Sequence, residues 1–389
     1  MILNFAINNY KSINELMNIE LELDASIKTN NHHNLIIEKN NIKSSRLNFL
    51  YGNNGSGKSN IINGIKVLKM IALNELEKIN DEQLIIPFKL STKTNDDIFF
   101  HLDFISNNNR YNYNVYYDSK KQELRDEELV LVNGEVETII FDRQIKNYNK
   151  LKDKESRYDI KKISLLSILN NSKQFESNEE VKYHSTNVFK FFQNIHFGFS
   201  DIRNSQELDE LPKDNTFLNK LSEKISKYDL TVTRLRLNEE KAQYGNNKNT
   251  IEIYHGDKFL NSSEESPGTM KAISAIYSLL AKNNGVWFVD DFESYLHTKN
   301  TLELVKFLTK NFLDSQFVFI THELELLDLE EVKFKPLHYL VERDEKTYNT
   351  SITRMSDYKD LRSDNRHNWR AFYEFNRLGK YPSPKLFED

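Results

Sequence analysis

Apolar and polar positions alternate at the start of the chain and then give way to a helical pattern. The segments "ILNFAINNYKSI" and "RLNFLYG" have the two-residue alternation or short apolar run of β-strands, and the second ends at a glycine. Residues 60 to 78 carry isoleucine and leucine at three- and four-residue spacings, which predicts a helix packed on a sheet. The predicted local order is therefore strand, glycine-rich loop, helix.

Three regions follow from the same patterns. Residues 1–140 form a first lobe that ends in four antiparallel strands, "DIFFHLDFI", "RYNYNVYYD", "ELVLV" and "VETIIF". Residues 141–228 contain helical patches such as "VFKFFQNIHF" and are predicted to be a helical insertion. In residues 229–389, apolar strands alternate with helices at Thr269 to Ala281 and 298 to 312, as in a parallel sheet covered on both faces. We expect the two ends to form one α/β domain that the middle interrupts.

Composition narrows the class of protein. The 389 residues have a net charge of −5, so the chain as a whole is not a polycation that wraps nucleic acid, and it has no cysteine for disulfides or thiolate metal sites. The N-terminus lacks a secretory signal pattern, and no apolar run approaches the roughly 18 residues of a membrane span. These features predict a soluble, cytoplasmic protein.

The glycine-rich loop fits the phosphate-binding pattern G-x-x-x-x-G-K-[ST] at every fixed position. Its glycines allow successive backbone N–H groups to curl around phosphate oxygens, and the helix that follows adds its positive end. Lys58 is expected to reach the β- and γ-phosphates, and Ser59 to ligate Mg²⁺. The alternative is a surface turn rich in glycine and asparagine. The predicted nucleotide-binding residues here are Gly52, Asn53, Asn54, Gly55, Ser56, Gly57, Lys58, Ser59 and Asn60.

A second candidate segment is "GVWFVDDFE", where an apolar strand ends in carboxylates. Asp290 at the strand end is the predicted Mg²⁺ ligand. The next position normally carries a glutamate that polarises the attacking water, and Asp291 is one methylene shorter. Asp291 could act through a rearranged water, Glu293 could substitute for it, or hydrolysis could be slow. The alternative is an acidic strand end that faces solvent.

A histidine follows another apolar strand in "FVFITHE". His322 could hydrogen-bond a γ-phosphate and sense its loss, although a single histidine at a strand end often has only a structural role.

In this order, the segments resemble the ABC-class ATPases of the SMC/RecF type, and more closely the compact AAA-annotated ATPases of bacterial anti-phage and abortive-infection systems. This resemblance implies a P-loop NTPase of the ABC-ATPase type, with a mixed sheet, an antiparallel β subdomain and a helical insertion. The segments that carry it are "FAINNYKSI", "YGNNGSGKSN", "ESPGTMKAI", "VWFVDDFESYLHT", "FITHELELLD" and the tail from "YLVERDEKT" onward.

The resemblance also implies a mechanism. Ser266 and Gly268 would form the signature loop that contacts ATP on the opposite subunit, so that a homodimer encloses two ATP molecules with Mg²⁺. Lys58, Asp291 and His322 would be catalytic, and "ESYLHT" would cross the dimer interface, where His297 could be an interface residue or simply a helix start. The glutamine that joins the two lobes has no clear counterpart, and Gln83 is the nearest candidate. The implied role is control of an effector protein, such as a nuclease, in anti-phage defence.

Two other functions stay open. An ATP-sensing scaffold with little turnover would fit Asp291, and a RecF-like DNA repair ATPase would need a basic surface. The local basic clusters are "TRLRL" at 233 to 237 and "RSDNRHNWR" at 362 to 370, which could contact DNA or RNA or be solvated faces.

Overall fold

The computed structural model describes residues 1–25, 27, 29, 32–76, 84–91, 97–144, 161–171, 179–203, 215–229, 231–240, 248–282 and 284–358. The longer helices are α1 (Lys58–Leu73), α2 (Leu165–Asn171), α3 (Glu179–Gln193), α4 (Asn215–Tyr228), α5 (Pro267–Ala281) and α6 (Thr298–Asn311). The strands are β1 (Ile2–Asn8), β2 (Met17–Glu20), β3 (Ile36–Lys39), β4 (Ile42–Ser45), β5 (Leu47–Tyr51), β6 (Asp97–Ser106), β7 (Asn109–Asp118), β8 (Glu123–Asn133), β9 (Val136–Asp142), β10 (Ile195–Phe197), β11 (Arg234–Glu240), β12 (Lys248–His255), β13 (Lys258–Asn261), β14 (Val286–Val289), β15 (Gln316–Ile320), β16 (His338–Arg343) and β17 (Thr350–Arg354).

A six-stranded central sheet has the order β10-β14-β15-β5-β16-β17. Its strands are parallel except for β17, which pairs antiparallel with β16. Because β5 lies between β15 and β16, a strand from the N-terminal third sits among strands from the C-terminal third. The predicted α/β fold with a mixed sheet is therefore confirmed, and strands from both ends of the chain share that sheet.

The central sheet is buried on both faces, which explains its nearly unbroken apolar strands. In β5, Leu50 packs into the core that includes α1, whereas Phe49 packs into the core that includes α6. In β15, Val318 and Phe319 divide between the same two cores. The carboxyl ends of these parallel strands meet at one edge, where α/β sheets bind ligands.

A second sheet is antiparallel, with the order β2-β1-β6-β7-β8-β9. The four strands predicted between about 97 and 140 pair as consecutive neighbours in it. Helix α1 packs between this sheet and the central one, and a Cβ at Gly64 would come within 2.5 Å of Ile7 Cδ1. This close approach fixes the position of α1, the helix that follows the glycine-rich loop, against β1.

The middle of the chain is more closely joined to the core than a separate insertion would be. Helices α2 and α3 pack into the same core as α1. The segment "VFKFFQNIHF", expected to be helical, ends instead in β10, which pairs in parallel with β14. A strand is favoured there because its backbone forms hydrogen bonds with the N–H and carbonyl groups at the edge of β14. The predicted boundaries at 140 and 228 stay a prediction.

A three-stranded sheet, β11-β12-β13, packs with α4 and α5 in a third core. Gln316 ties the two large sheets together, because its buried side chain accepts from Ile2 N at 2.7 Å and donates to Ile2 O at 3.0 Å. Among the described residues, no helix has the length and apolar character needed to cross a bilayer.

Candidate nucleotide-binding site

The loop between β5 and α1 has a backbone shape that requires glycine at two positions. Gly52 and Gly57 have φ angles of +157° and +103°. A Cβ at Gly52 would lie 2.3 Å from Val341 O, and one at Gly57 would lie 2.3 Å from Thr350 Oγ1. Side chains are therefore excluded by both conformation and space, and the loop keeps its backbone open to a ligand.

Lys58 begins α1 and points back into this loop. Its Nζ donates to Gly52 O at 2.6 Å and to Asn53 O at 2.9 Å. Burial lowers the pKa of Lys58, while Asp290, Asp291 and Glu293 act in the opposite direction through their charges. The ammonium group thus stands between the phosphate loop and the acidic segment, where a triphosphate would meet it.

The other predicted loop residues surround this position. Asn54, Gly55 and Ser59 are exposed, and Asn53 is half-buried. Ser56 is buried, and its Oγ has no hydrogen-bond partner among the described residues. A loop with exposed positions around a buried lysine can admit an anion.

A polar cluster supports the loop from behind, and sequence reasoning did not identify it as functional. Thr350 Oγ1 donates to Ser56 O at 2.8 Å and lies 2.8 Å from the Ser12 hydroxyl. Asn60, predicted to bind nucleotide, donates through Nδ2 to Ser12 Oγ at 2.8 Å. Because Ser12 and Thr350 are separated by almost the whole chain, no local pattern could reveal their contact.

The acidic segment follows β14, next but one to β5 in the central sheet. Asp290 and Asp291 are exposed, and Phe292 is fully buried. Asp291 has a φ of +47° and Tyr295 a φ of +69°, both in the left-handed region that non-glycine residues seldom adopt. Such strain is concentrated at functional sites. The loop of residues 291–297 is named the acidic loop below.

The acidic loop contacts the segment that contains His322. Glu293 Oε1 accepts a hydrogen bond from the backbone N–H of His322 at 2.6 Å. Glu293 Oε2 is buried without a hydrogen-bond partner in the described part of the chain. The His322 residue itself is exposed, at the carboxyl end of β15.

Lys271 on α5 adds a second positive charge that interacts with the acidic loop. Burial lowers its pKa, and the charges of Glu293, Asp291 and Asp201 oppose that effect. Lysines from α1 and α5 therefore both face the carboxylates of the acidic loop. Lys271 could not be identified from the sequence, because helical periodicity does not show which carboxylates a lysine will face.

The predicted signature segment lies at the start of α5. Ser266 is the N-cap, and its Oγ accepts from Thr269 N at 3.1 Å. Pro267 occupies the first turn, as its fixed φ favours. Gly268 lies against the acidic loop, because a Cβ there would be 3.1 Å from Tyr295 O. His297 lies at a helix start, one of its two predicted roles, and caps α6 with a long contact of 3.4 Å to Lys299 N; its role at an interface stays a prediction.

The arrangement suits ATP and Mg²⁺. The Ser59 hydroxyl and the Asp290 carboxylate are oxygen ligands of the type that Mg²⁺ prefers, and both are exposed at the same edge of the sheet. Within the described ranges, no three or more His, Asp or Glu side chains form a metal-binding group. A P-loop metal needs few protein ligands, because phosphate oxygens and water complete its shell.

Two further predictions concern other regions. Gln83 and the basic segment at 362 to 370 lie outside the described residues. In the cluster at 233 to 237, Arg234 stacks over Tyr254, with 4.1 Å from its guanidinium carbon to the ring centroid, and Arg236 is exposed. Contact of this cluster with nucleic acid stays a prediction.

Comparison with solved structures gives the fold. The chain is similar to an SMC head bound to the C-winged helix domain of ScpA, with a TM-score of 0.50 and 14% identity over 93% of this chain and 99% of that one. An SMC head domain from Thermotoga maritima has a TM-score of 0.45 and 16% identity, with 91% and 98% covered. An Smc head domain with an extended coiled coil, bound to the C-terminal domain of ScpA derived from Pyrococcus furiosus, has a TM-score of 0.47 and 13% identity, with 90% and 95% covered.

No curated protein sequence matches the chain. A family model described as "AAA domain, putative AbiEii toxin, Type IV TA system" matches residues 47–328, which is well over half of the chain. The match begins at β5 and ends beyond His322, so it contains the phosphate loop, the signature segment and the acidic loop. The chain therefore belongs to this AbiEii-type family of AAA domains, and its fold is that of the SMC-head class of ABC-type ATPases.

Proposed function

We propose that this protein binds ATP with Mg²⁺, hydrolyses it slowly, and dimerises around the bound nucleotide to control a partner protein. The observation that carries the proposal is the position of Lys58. It lies in a glycine-shaped loop and interacts electrostatically with Asp290 and Asp291, which follow β14 at the same edge of the sheet. That combination supplies a phosphate cradle, a cation and a metal ligand in one place.

In the proposed complex, the loop backbone and Lys58 hold the phosphates, and Ser59 and Asp290 hold Mg²⁺. The metal would neutralise phosphate charge and orient the triphosphate. Asp291 would orient the attacking water, and His322 would contact the γ-phosphate. Since Asp291 is shorter than glutamate and has a left-handed backbone, we expect a low turnover rate.

Dimerisation is proposed through Ser266 and Gly268. The N-cap of α5 is exposed, and the first turn of a helix presents backbone N–H groups that favour an anion. ATP on one subunit would meet this helix end on the other. The association would then depend on nucleotide, because each γ-phosphate adds charge-assisted hydrogen bonds across the interface.

The proposed output is control of an effector, such as a nuclease, in anti-phage defence in the cytoplasm. The family description names a toxin of a toxin–antitoxin system, and one similar SMC head is bound to a domain of ScpA. Both support a nucleotide-controlled protein partner. The effector role is a functional analogy based on the fold.

The central experiment measures ATP binding, phosphate release and particle mass with and without ATP and Mg²⁺. We expect Lys58→Ala to abolish nucleotide binding. We expect Asp290→Ala to abolish Mg²⁺-dependent phosphate release. Lys66→Ala, a half-buried lysine two turns farther along α1, is the matched control and should leave binding unchanged. Equal ATP affinity in the wild type and Lys58→Ala would refute the proposal.

An ATP-sensing scaffold is the second candidate, and Asp291 is the observation that favours it. Asp291→Glu should raise the rate of phosphate release if a short carboxylate limits hydrolysis. The scaffold would be favoured if the wild type and Asp291→Glu both form ATP-dependent dimers but neither shows Lys58-dependent phosphate release.

A further inference from the structure

Two loops at the carboxyl edge of the central sheet are joined to each other. The acidic loop follows β14, and the histidine loop, residues 321–323, follows the adjacent parallel strand β15. Glu293 accepts from His322 N at 2.6 Å, and Thr298 Oγ1 donates to Glu323 Oε2 at 2.7 Å. The first link connects the predicted γ-phosphate sensor to the loop that carries Tyr295, and the second connects the histidine loop to the first residue of α6, directly after the acidic loop.

The Glu293 contact is specific in its geometry. It is a hydrogen bond from a neutral backbone donor to a carboxylate, a type that is stronger than a bond between neutral groups. Glu293 Oε2 is buried without a hydrogen-bond partner in the described residues, so the His322 N–H at Oε1 and the charges of Lys58 and Lys271 together offset the burial of this carboxylate. Breaking this hydrogen bond would release the backbone N–H of His322 within the histidine loop.

The other end of the acidic loop is exposed. Tyr295 is 78% exposed despite its large ring, and its carbonyl lies against Gly268 at the start of α5. A shift of the histidine loop would therefore pass through Glu293 to a loop that touches the signature segment. Energetic coupling of this kind needs a contiguous set of contacts, which these residues provide.

We propose that Glu293 is a positioning residue: its carboxylate fixes the backbone of His322 and thereby makes the histidine loop and the acidic loop one unit. This inference rests on the proposed ATPase function and assigns no chemistry to Glu293 itself. It differs from the view in which Glu293 replaces the missing glutamate as general base. The two roles make different demands on the side chain.

A matched pair of variants separates these roles. Glu293→Gln keeps an acceptor oxygen at the same reach but removes the charge, and Glu293→Asp keeps the charge but shortens the reach. For a positioning residue, Glu293→Gln should retain kcat within about twofold, whereas Glu293→Asp should lose about tenfold in kcat with KM unchanged. A general base gives the reverse order, because an amide cannot accept a proton from water.

A double-mutant cycle tests whether Glu293 acts through His322. His322→Ala removes the imidazole and keeps the N–H donor. If Glu293 only positions His322, Glu293→Asp should reduce kcat no further in the His322→Ala background. Additive losses would overturn the proposal, and so would equal activity of Glu293→Asp and the wild type.

The outcome is distinguishable from failure of the proposed function. If Lys58→Ala removes ATP binding and turnover but both Glu293 variants behave as the wild type, only the positioning role is refuted. If the wild type itself shows no Lys58-dependent turnover, the ATPase proposal fails. In that case, the inference is decided by comparing the fraction of ATP-dependent dimer formed by Glu293→Gln and by Glu293→Asp. A lower dimer fraction in Glu293→Asp supports the inference, and equal fractions overturn it.

Discussion

The phosphate loop and the acidic loop leave the same sheet edge, but they obtain their unusual backbones in different ways. In the phosphate loop, glycines hold the positive φ angles, at Gly52, Gly55 and Gly57. In the acidic loop, Asp291 and Tyr295 hold them, although side chains make this conformation unfavourable by about 1–2 kcal/mol per residue. The first loop is relaxed around its lysine, and the second stores strain.

The two loops also differ in which residues determine their shape. The phosphate loop is fixed by its own sequence and by a support formed by Ser12 and Thr350. The acidic loop is held by long-range contacts, chiefly the Glu293 bond to His322 and the packing of Phe292. A loop with stored strain can change shape when its contacts change, which suits a segment proposed to respond to nucleotide.

The largest predicted effect concerns crowding in the phosphate loop. Gly57→Ala combines a left-handed backbone with a Cβ 2.3 Å from Thr350 Oγ1 and 2.6 Å from Ser12 Oγ. We expect the free energy of unfolding, measured with urea in the absence of nucleotide, to fall by about 2–5 kcal/mol.

Gly55→Ala is the matched control for that prediction. It has a φ of +80° but open space within 4 Å of the added Cβ. It should reduce stability only by about 1–2 kcal/mol, the conformational part alone. Equal losses for the two variants would show that packing behind the loop is unimportant.

Acid should lower the free energy of unfolding through a buried histidine next to β5, the strand that precedes the phosphate loop. His338 is fully buried beside Phe49 and Tyr51 of β5, and burial lowers its pKa to about 4. The unfolded chain binds a proton near pH 6.5, so this group makes stability fall as pH drops from about 6.5 to 4, by about 3 kcal/mol in total. Urea unfolding at several pH values checks this, and His338→Gln should flatten the slope.

The support of the phosphate loop can be tested without altering the loop. Thr350→Val keeps the shape but removes the hydroxyl that donates to Ser56 O and lies 2.8 Å from Ser12 Oγ. We expect about 1–2 kcal/mol lower stability and weaker ATP binding, by urea titration and calorimetry. Ser351→Ala, at the exposed next position of β17, is the control and should change neither quantity.

The smallest effect concerns strain in the acidic loop. Tyr295→Gly and Tyr295→Ala both remove an exposed ring, but only glycine relieves the φ of +69°. The glycine variant should be more stable than the alanine variant by about 0.5–1 kcal/mol, after allowing for the greater freedom of glycine in the unfolded chain. A more stable alanine variant would show that the left-handed backbone stores no strain.

The sequence predicted the local features well. The helix predicted over residues 60 to 78 is present as Lys58–Leu73, and the antiparallel strands between 97 and 140 pair in chain order. Helix α5 begins at Pro267, two residues before the predicted Thr269, because Ser266 provides the cap. Each of these depends on residues within a few positions of one another, so periodicity and turn chemistry are sufficient.

The sequence alone thus determined the motifs, their order and the class of fold, because side-chain spacing records which face of a helix or strand is buried. Only the tertiary structure decided that β10 completes the central sheet, that Thr350 supports the phosphate loop, and that Glu293 reaches the backbone of His322. These contacts join segments far apart in the chain through single hydrogen bonds or short pairings. Backbone N–H and carbonyl groups are the same at every residue, so nothing in the pattern of side chains marks which of them will be partners.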